Sequence, residues 1–483
     1  MRKLNKLQPS LIWQYFEDIC QVPRPSKKEE KIRKFLIDFA CEHNIEAKTD
    51  EIGNVLYILP AAKGMESLTP VVMQAHMDMV CDKKGDKIFD FENDAIVPVI
   101  DGEWVRAEDT TLGADNGIGI AAQLAIATDP KVKHGPLECL FTVDEETGLN
   151  GAVNLKEGFF KAKTLINLDS EDEGVLYIGC AGGLDTQGEV TVEMETIPEK
   201  SFAMDVFVKG LKGGHSGDDI EKERGNAIKI LTRYLWCITK KYGARLAVIE
   251  GGNLRNAIAR EAYAQVIVPH KMKEPVVAEL NQFLGDLAFE YKITEPDLKM
   301  DYQSADVPEK ILTAESQKKL LSILYGLPHG VLAMSSSMKN MVETSTNLAS
   351  VHPSGDNCYM IITSQRSEIE SRRDYAAEMV ESVFELGGAK VIHSDGYPGW
   401  TPNTDSKILK VASVSYRNLF KKDPVVRSIH AGLECGPFLE KYPDLDMVSF
   451  GPTIQEVHSP SERIKIDSVK NFYMHLAEVL KNV

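Results

Sequence analysis

Leu137-Glu-Cys-Leu-Phe-Thr-Val-Asp-Glu-Glu-Thr-Gly148 is a short apolar run that stops at two adjacent acids. Residues Leu137 to Val143 read as a buried strand of an α/β layer. An unpaired ionised carboxylate is very costly to bury, so Glu145 and Glu146 at a strand end sit at a surface, or serve a metal or a proton. Neighbouring side chains there point in different directions, so the two acids are free to do different jobs. Taken alone, a solvated turn explains them as well, since strand ends often carry exposed acids.

Working outward, strand and helix signals alternate on both sides. The stretches 54–59, 70–75 and 164–168 read as strands, 28–40 as a helix with one apolar face, and 116–128 as a buried helix. That alternation predicts an α/β domain with a largely parallel or mixed sheet flanked by helices. After Gly182-Gly183 the character changes. Strands at 202–211, 245–249 and 263–268 and helices at 223–242 and 273–291 follow the order of a split β-α-β unit. A second set follows, with helices at 317–325 and 372–386 and strands at 342–350 and 359–365, so two related halves are expected from element order. Past Gly396 the α/β pattern returns, with helices at 407–420, 434–440 and 468–480 and strands at 425–429 and 447–450. The expected architecture is a catalytic α/β domain built from residues 1–185 and 391–483, interrupted by an α+β lid domain at 186–390.

Composition bounds the function. A chain of 483 residues is too long for one typical core, and 43% hydrophobic with 26% charged residues is ordinary for a globular protein. The formal net charge of −17 argues against a nucleic-acid partner, which needs a basic face. No apolar run is long enough to span a membrane, and residues 7–19 form an amphipathic helix rather than a signal peptide. Eight scattered cysteines without a Cys-x-x-Cys pair fit a reducing cytoplasm and give no support to a thiolate zinc site.

Five stretches hold candidate metal ligands. They are Gln74-Ala-His76-Met-Asp78, Leu112-Gly-Ala-Asp115-Asn-Gly-Ile-Gly119, Glu145-Glu146, Asn167-Leu-Asp169 and Val457-His458-Ser-Pro460. Each lies after a predicted strand or in a loop, where sites of open α/β sheets converge. Singly they are weak. Asp115 reads as a helix N-cap, Asp169 as a turn residue, His458 as a loop or core histidine, and His76-x-Asp78 equally as a hydrogen-bonded pair or a ligand with its orienting acid. Together, imidazoles and carboxylates without thiolate suit a hydrolytic zinc centre. Two histidines and three acids serve two metals only if one carboxylate bridges.

These motifs resemble those of the bacterial aminoacyl-histidine dipeptidases, co-catalytic zinc peptidases related to carboxypeptidase G, peptidase T and the carnosinases. The likeness spans nearly the whole chain and includes residues 74–80, 111–119, 144–148, Gly213-Gly-His-Ser-Gly217, Gly251-Gly-Asn-Leu-Arg-Asn-Ala257, His430-Ala-Gly-Leu-Glu-Cys-Gly436 and Gly451-Pro-Thr-Ile454. It implies a cytoplasmic dipeptidase with two zinc ions per chain, replaceable by cobalt or manganese. His76 and Asp169 would hold one ion, Glu146 and His458 the other, with Asp115 bridging through a residue that precedes a cis peptide. Asp78 would orient His76, and Glu145 would be the general base for the water between the metals. His215 would meet the oxyanion, Arg366 the substrate carboxylate and Asn256 its backbone. Glu434 is assigned to the free amine on chemical grounds alone. The resemblance also implies a homodimer through the lid, and if the ligands lie in one domain and His215 with Arg366 in the other, catalysis requires the lid to close. The alternatives are a deacylase or amidase for N-acyl amino acids, and a binder that has lost catalysis. Retention of Glu145 argues against the binder.

Overall fold

The structure is a computed structural model that describes residues 2–85, 87–336, 338–355 and 357–483. The chain divides into two compact units, residues 1–180 with 397–483 and residues 181–396. These divisions fall a few residues from the expected 185 and 390, because the strand Gly182–Thr191 belongs wholly to the second unit.

The first unit is built on a mixed sheet. Its strand order is Glu46–Thr49, Val55–Leu59, Leu137–Thr142, Val71–His76, Thr164–Asn167, Asp446–Ser449, Val175–Cys180 and Val425–Ile429. Leu137–Thr142, Val71–His76, Thr164–Asn167 and Asp446–Ser449 run parallel to one another. Every residue of Val71–His76 and Leu137–Thr142 is buried, which is why they read as continuous apolar runs rather than alternating ones. The helix Ala114–Thr128 is apolar on nearly all sides and is buried from Asn116 to Ile126. The amphipathic helices Ser10–Cys20, Lys407–Phe420 and Ile466–Asn482 put Phe16, Leu409 and Leu476 into the same core. A small sheet orders Ile454–Gln455, Arg463–Lys465, Trp104–Ala107 and Pro98–Asp101. The residues between its first two strands form a hairpin turn.

The terminal helix also carries a buried titratable group. His475 donates through Nε2 to the Ala412 carbonyl at 2.8 Å, and burial lowers its pKa to about 4. An imidazole that ionises near 6.5 when unfolded and near 4 when folded binds its proton in the unfolded state first. Its contribution is therefore complete above about pH 6.5 and is lost as pH falls toward 4, a change of roughly 3 kcal/mol. Urea midpoints of the chelated protein at pH 7 and pH 4.5 should fall less for His475→Gln than for the wild type. Parallel falls would assign the acid sensitivity elsewhere.

The second unit is an antiparallel sheet with helices against it. Its order is Lys299–Ala305, Ser201–Lys209, Ala262–Pro269, Arg245–Gly251, Val342–Pro353, Cys358–Ser367, Gly182–Thr191 and Lys390–His393, with Gly330–Met334 paired to Val342–Pro353. The first four strands, with the helices Ala227–Tyr242 and Lys273–Glu290, have the split β-α-β order. The last four mirror it with the helices Ala314–Gly326 and Glu370–Leu386. In that second half the leading strand is Gly182–Thr191, contributed from before the first half. Its polar, glycine-rich sequence gave no strand signal, yet it pairs with Cys358–Ser367 over its whole length. Gly188 is required there, since a Cβ would lie 2.2 Å from the ring of Phe384. The helix expected from Glu223 begins at Ala227, because the Asn226 side chain accepts from the Ile228 and Lys229 N–H groups and caps it.

Candidate metal centre

Three adjacent parallel strands end side by side, and each delivers acids or an imidazole. His76 closes Val71–His76, Glu145 and Glu146 follow Leu137–Thr142, and Asp169 follows Thr164–Asn167. Asp115 enters from the start of the helix Ala114–Thr128, and His458 from the hairpin turn beyond Asp446–Ser449. The five expected ligands are thus brought together within the first unit.

Asp115 is central. Its Oδ1 lies 3.0 Å from His76 Nε2 and its Oδ2 lies 3.1 Å from His458 Nε2. Asp169 Oδ1 is 3.5 Å from the same His76 nitrogen, and Glu146 Oε2 is 3.1 Å from the same His458 nitrogen. Two three-residue groups share Asp115, His76–Asp115–Asp169 and Asp115–Glu146–His458, while His76–Glu145–Glu146 and Glu29–Asp78–Asp144 form two more, each with ligand atoms within 4.8 Å of one another. Asp115 does not cap its helix: Gly113 stands at the N-cap, and the Asp115–Asn116 peptide is cis. Asn116 Nδ2 donates to Asp169 and ties the two acids together.

Asp78 lies beneath this cluster with no exposed surface. Its Oδ1 lies 3.4 Å from His76 Nδ1 without forming a hydrogen bond, and His76 Nε2 faces Asp115 and Asp169. The same carboxylate accepts the backbone N–H of Glu145 at 3.0 Å, that of Glu146 at 3.3 Å and the Ser26 hydroxyl at 2.8 Å. One buried acid therefore lies against the first histidine and anchors the turn that presents both glutamates. Behind it, Ser170, Ser449, Asn167, Gln74, Thr142 and Glu434 form a buried chain of side-chain hydrogen bonds across four strand ends. Glu434 Oε2 accepts from Thr142 at 2.6 Å and from Gln74, while Oε1 is buried without a partner.

The electrostatics are those of a site short of positive charge. Desolvation raises the Glu145 carboxyl well above its usual range, with Glu146, Asp169 and Glu434 adding repulsion. Glu146 and Asp169 are raised by desolvation and then by Asp115. Burial pushes Glu434 up to about 8. Desolvation alone would lower His458 and raise Asp115. Instead, Asp115 and Glu146 carry His458 up to about 12, and His458 with His76 holds Asp115 well below the usual carboxylate range. Cations bound among these groups would replace the protons that burial and repulsion now favour. The donor set of imidazole nitrogen and carboxylate oxygen, with Asp115 offering one oxygen to each group, fits two divalent ions of the zinc, cobalt or manganese kind.

The residues are matched from 72 to 482 by the model of Peptidase family M20/M25/M40. The chain belongs to this family. This M20 peptidase is 42% identical over 483 residues to the cytosol non-specific dipeptidase of Escherichia coli K12, covering 100% of the chain and 99% of that relative. It is similar to the crystal structure of the aminoacylhistidine dipeptidase of Vibrio alginolyticus, with 40% identity and a TM-score of 0.87 over 100% of this chain and 98% of that one. The aminopeptidase PepT of Bacillus cereus shares the fold at 16% identity, with a TM-score of 0.57 over 98% of each chain. The M20 peptidases are metal-dependent hydrolases of peptide bonds, and the donor set above accommodates such a metal.

The remaining predicted residues of this M20 peptidase lie in the second unit and converge on Ser216. The Ser216 N–H donates to the Asn256 carbonyl at 2.8 Å, and Arg366 Nε donates to Ser216 Oγ at 3.4 Å. Next to it, His215 Nδ1 accepts from the Gly217 and Asp218 N–H groups, both at 3.3 Å. Asp218 Oδ2 lies 3.6 Å from the same nitrogen, and the two N–H groups facing Nδ1 leave Nε2 to act as the ring's donor. Arg366 is buried in the strand Cys358–Ser367, and Asn256 is exposed in a turn.

Sequence reading missed four supporting residues: Arg24, Gln74, Asn167 and Glu462. Arg24 is a buried charge between Pro23 and Pro25, and it donates to the carbonyls of Met77, Asp78 and Gly113. Its flanking prolines were the available signal, since they mark a fixed turn. Gln74 and Asn167 were visible only as polar residues inside otherwise apolar strands.

Proposed function

We propose that the chain is a dipeptidase for unblocked dipeptides, with broad side-chain tolerance that includes Xaa-His substrates such as carnosine. The observation that carries this reading is Asp115, whose two oxygens face two different histidines beside the Glu145-Glu146 turn. His76, Asp115 and Asp169 would hold one zinc ion and Asp115, Glu146 and His458 a second, with cobalt or manganese as substitutes. Bound there, such ions polarise the scissile carbonyl and ease ionisation of water.

The chain's own residues divide the remaining work. Glu145 removes the proton from the attacking water and delivers it to the leaving amine. Asp78 faces His76 Nδ1 as its charge partner at 3.4 Å and holds the Glu145 backbone through a 3.0 Å hydrogen bond. His215 donates its Nε2–H to the developing oxyanion. Arg366 pairs with the substrate's terminal carboxylate, for which a guanidinium has matching geometry. Asn256 bonds the substrate backbone. Glu434, with its free buried oxygen, accepts from the terminal ammonium. The cytosol named for the Escherichia coli relative and eight free thiols support a cytoplasmic location.

A substrate panel tests the reading: Ala-His, β-Ala-His, Gly-Gly, an acetylated dipeptide and a tripeptide, each with added zinc. Unblocked dipeptides should be cleaved, and the acetylated dipeptide and the tripeptide spared. Preference for the acetylated substrate would make the protein a deacylase and remove Glu434 from its role. No turnover with zinc or cobalt would end the enzyme reading. A homodimer belongs to the same proposal. It is supported by the edge strand Gly330–Met334, which exposes Val331, Leu332 and Met334. Sedimentation should give twice the chain mass, and a value of one chain mass would refute it.

A further inference from the structure

Glu462 lies four residues beyond His458, at the foot of the same hairpin. Arg463–Lys465, the returning strand, pairs antiparallel with Ile454–Gln455 on one side and with Trp104–Ala107 on the other. Trp104–Ala107 leads into the loop that carries Asp115. The Glu462 side chain is 2% exposed and reaches that loop. Oε2 accepts the N–H groups of Leu112 at 2.8 Å and Gly113 at 2.9 Å. Oε1 accepts those of Ala114 at 2.7 Å and Asp115 at 3.3 Å. Arg24 grips the opposite polarity of the loop through the Gly113 carbonyl.

A carboxylate offers about four acceptor positions. Glu462 spends all of them on four consecutive peptides, so it has none left for an ion or a substrate. What it does fix is the direction of the backbone that presents Asp115. The hairpin that carries Glu462 also carries His458, so one rigid piece sets two of the three groups around one ion. His76 and Asp169, by contrast, sit at strand ends of the main sheet and, among the described residues, take no bond from this hairpin.

We propose that Glu462 is a positioning residue that registers Asp115 against His458, so that the ion of the Asp115–Glu146–His458 group depends on it more steeply than the ion of the His76–Asp115–Asp169 group. The inference rests on Asp115 being the shared ligand. Glutamine at 462 would keep the shape but turn an NH2 group toward two peptide N–H donors. Aspartate would keep the charge and fall short by one methylene.

The test titrates the full chain, first stripped by chelator, with Co2+ alone, following heat and visible absorption. Wild type, Glu462→Gln, Glu462→Asp and Asp115→Asn are compared, with melting of the stripped proteins alongside. For Glu462→Gln one cobalt should bind with near wild-type affinity and the other about 10–100-fold more weakly, the range for loss of an outer partner of a ligand. If Glu462→Gln does not fold, Glu462→Asp carries the test, with the same one-sided loss expected. Two ions bound at wild-type affinities, or both weakened equally with a lower melting temperature, would overturn the proposal and leave Glu462 a structural residue. If Asp115→Asn retains both affinities, the shared-ligand reading itself falls. If Asp115→Asn disturbs both while the Glu462 variants disturb neither, only the present inference falls.

Discussion

Replacing Glu145 by glutamine should leave two ions bound and slow dipeptide hydrolysis by about 10²–10⁴-fold, the usual contribution of a positioned acid–base group. Glu145 differs from Glu146 by one residue and by role. The Glu146 carboxylate lies 3.1 Å from His458 Nε2, whereas Glu145 pairs with no histidine that closely among the described residues and comes only within 4.8 Å of His76. The Glu145 backbone N–H is fixed on Asp78, so a change in its side chain leaves the turn anchored. Glutamine preserves shape and removes proton transfer, which is the cleanest separation available. Metal analysis and single-turnover rates check it. A variant that lost an ion together with activity would make Glu145 a ligand, and one that kept its rate would remove the general base from this reading.

Asp115→Ala should abolish both ions at once, with a loss of hydrolysis on the order of 10³-fold or beyond, exceeding the 10–100-fold expected for outer residues. Its two oxygens serve different histidines, so no neighbour can substitute for both. Asp169→Ala and His458→Ala should each weaken one ion and spare the other. Metal content after dialysis against a zinc buffer distinguishes these patterns. If Asp115→Ala retained one ion at full occupancy, the two groups would be independent and the shared carboxylate would be excluded.

Much of this was legible in the chain. Fully buried strands announce themselves as apolar runs, so Val71–His76 and Leu137–Thr142 were found to within a residue or so. His76, Glu145 and Glu146 stand at their ends and Asp169 just past Thr164–Asn167, so these candidate ligands were placed along with the strands. Other parts were closed to sequence reading for physical reasons. Gly182–Thr191 is a strand by virtue of its place between Cys358–Ser367 and Lys390–His393, not by its side chains. Glu462 is buried because four N–H groups about 350 positions earlier donate to it, and nothing in Ser-Pro-Ser-Glu-Arg distinguishes it from a solvated loop acid. Which carboxylate is shared could not be decided by spacing. It rests on where Asp115 Oδ1 and Oδ2 point.

The strand order of the first unit has a consequence for how the protein comes into being. Asp446–Ser449 lies between Thr164–Asn167 and Val175–Cys180, and Val425–Ile429 lies beyond them. Synthesis delivers the two flanking strands first, then all of residues 181–396, and only afterwards the strand that joins them. Closing so long a loop is entropically costly and favours slow folding dominated by distant contacts. His458 arrives later still. On the ligand assignment proposed above, a chain stalled on the ribosome or cut before residue 458 lacks one imidazole and the hairpin that positions Asp115. Peptide-bond cleavage is thereby withheld until a histidine 343 positions beyond Asp115 is in place, so copies cut short of it carry no working hydrolase.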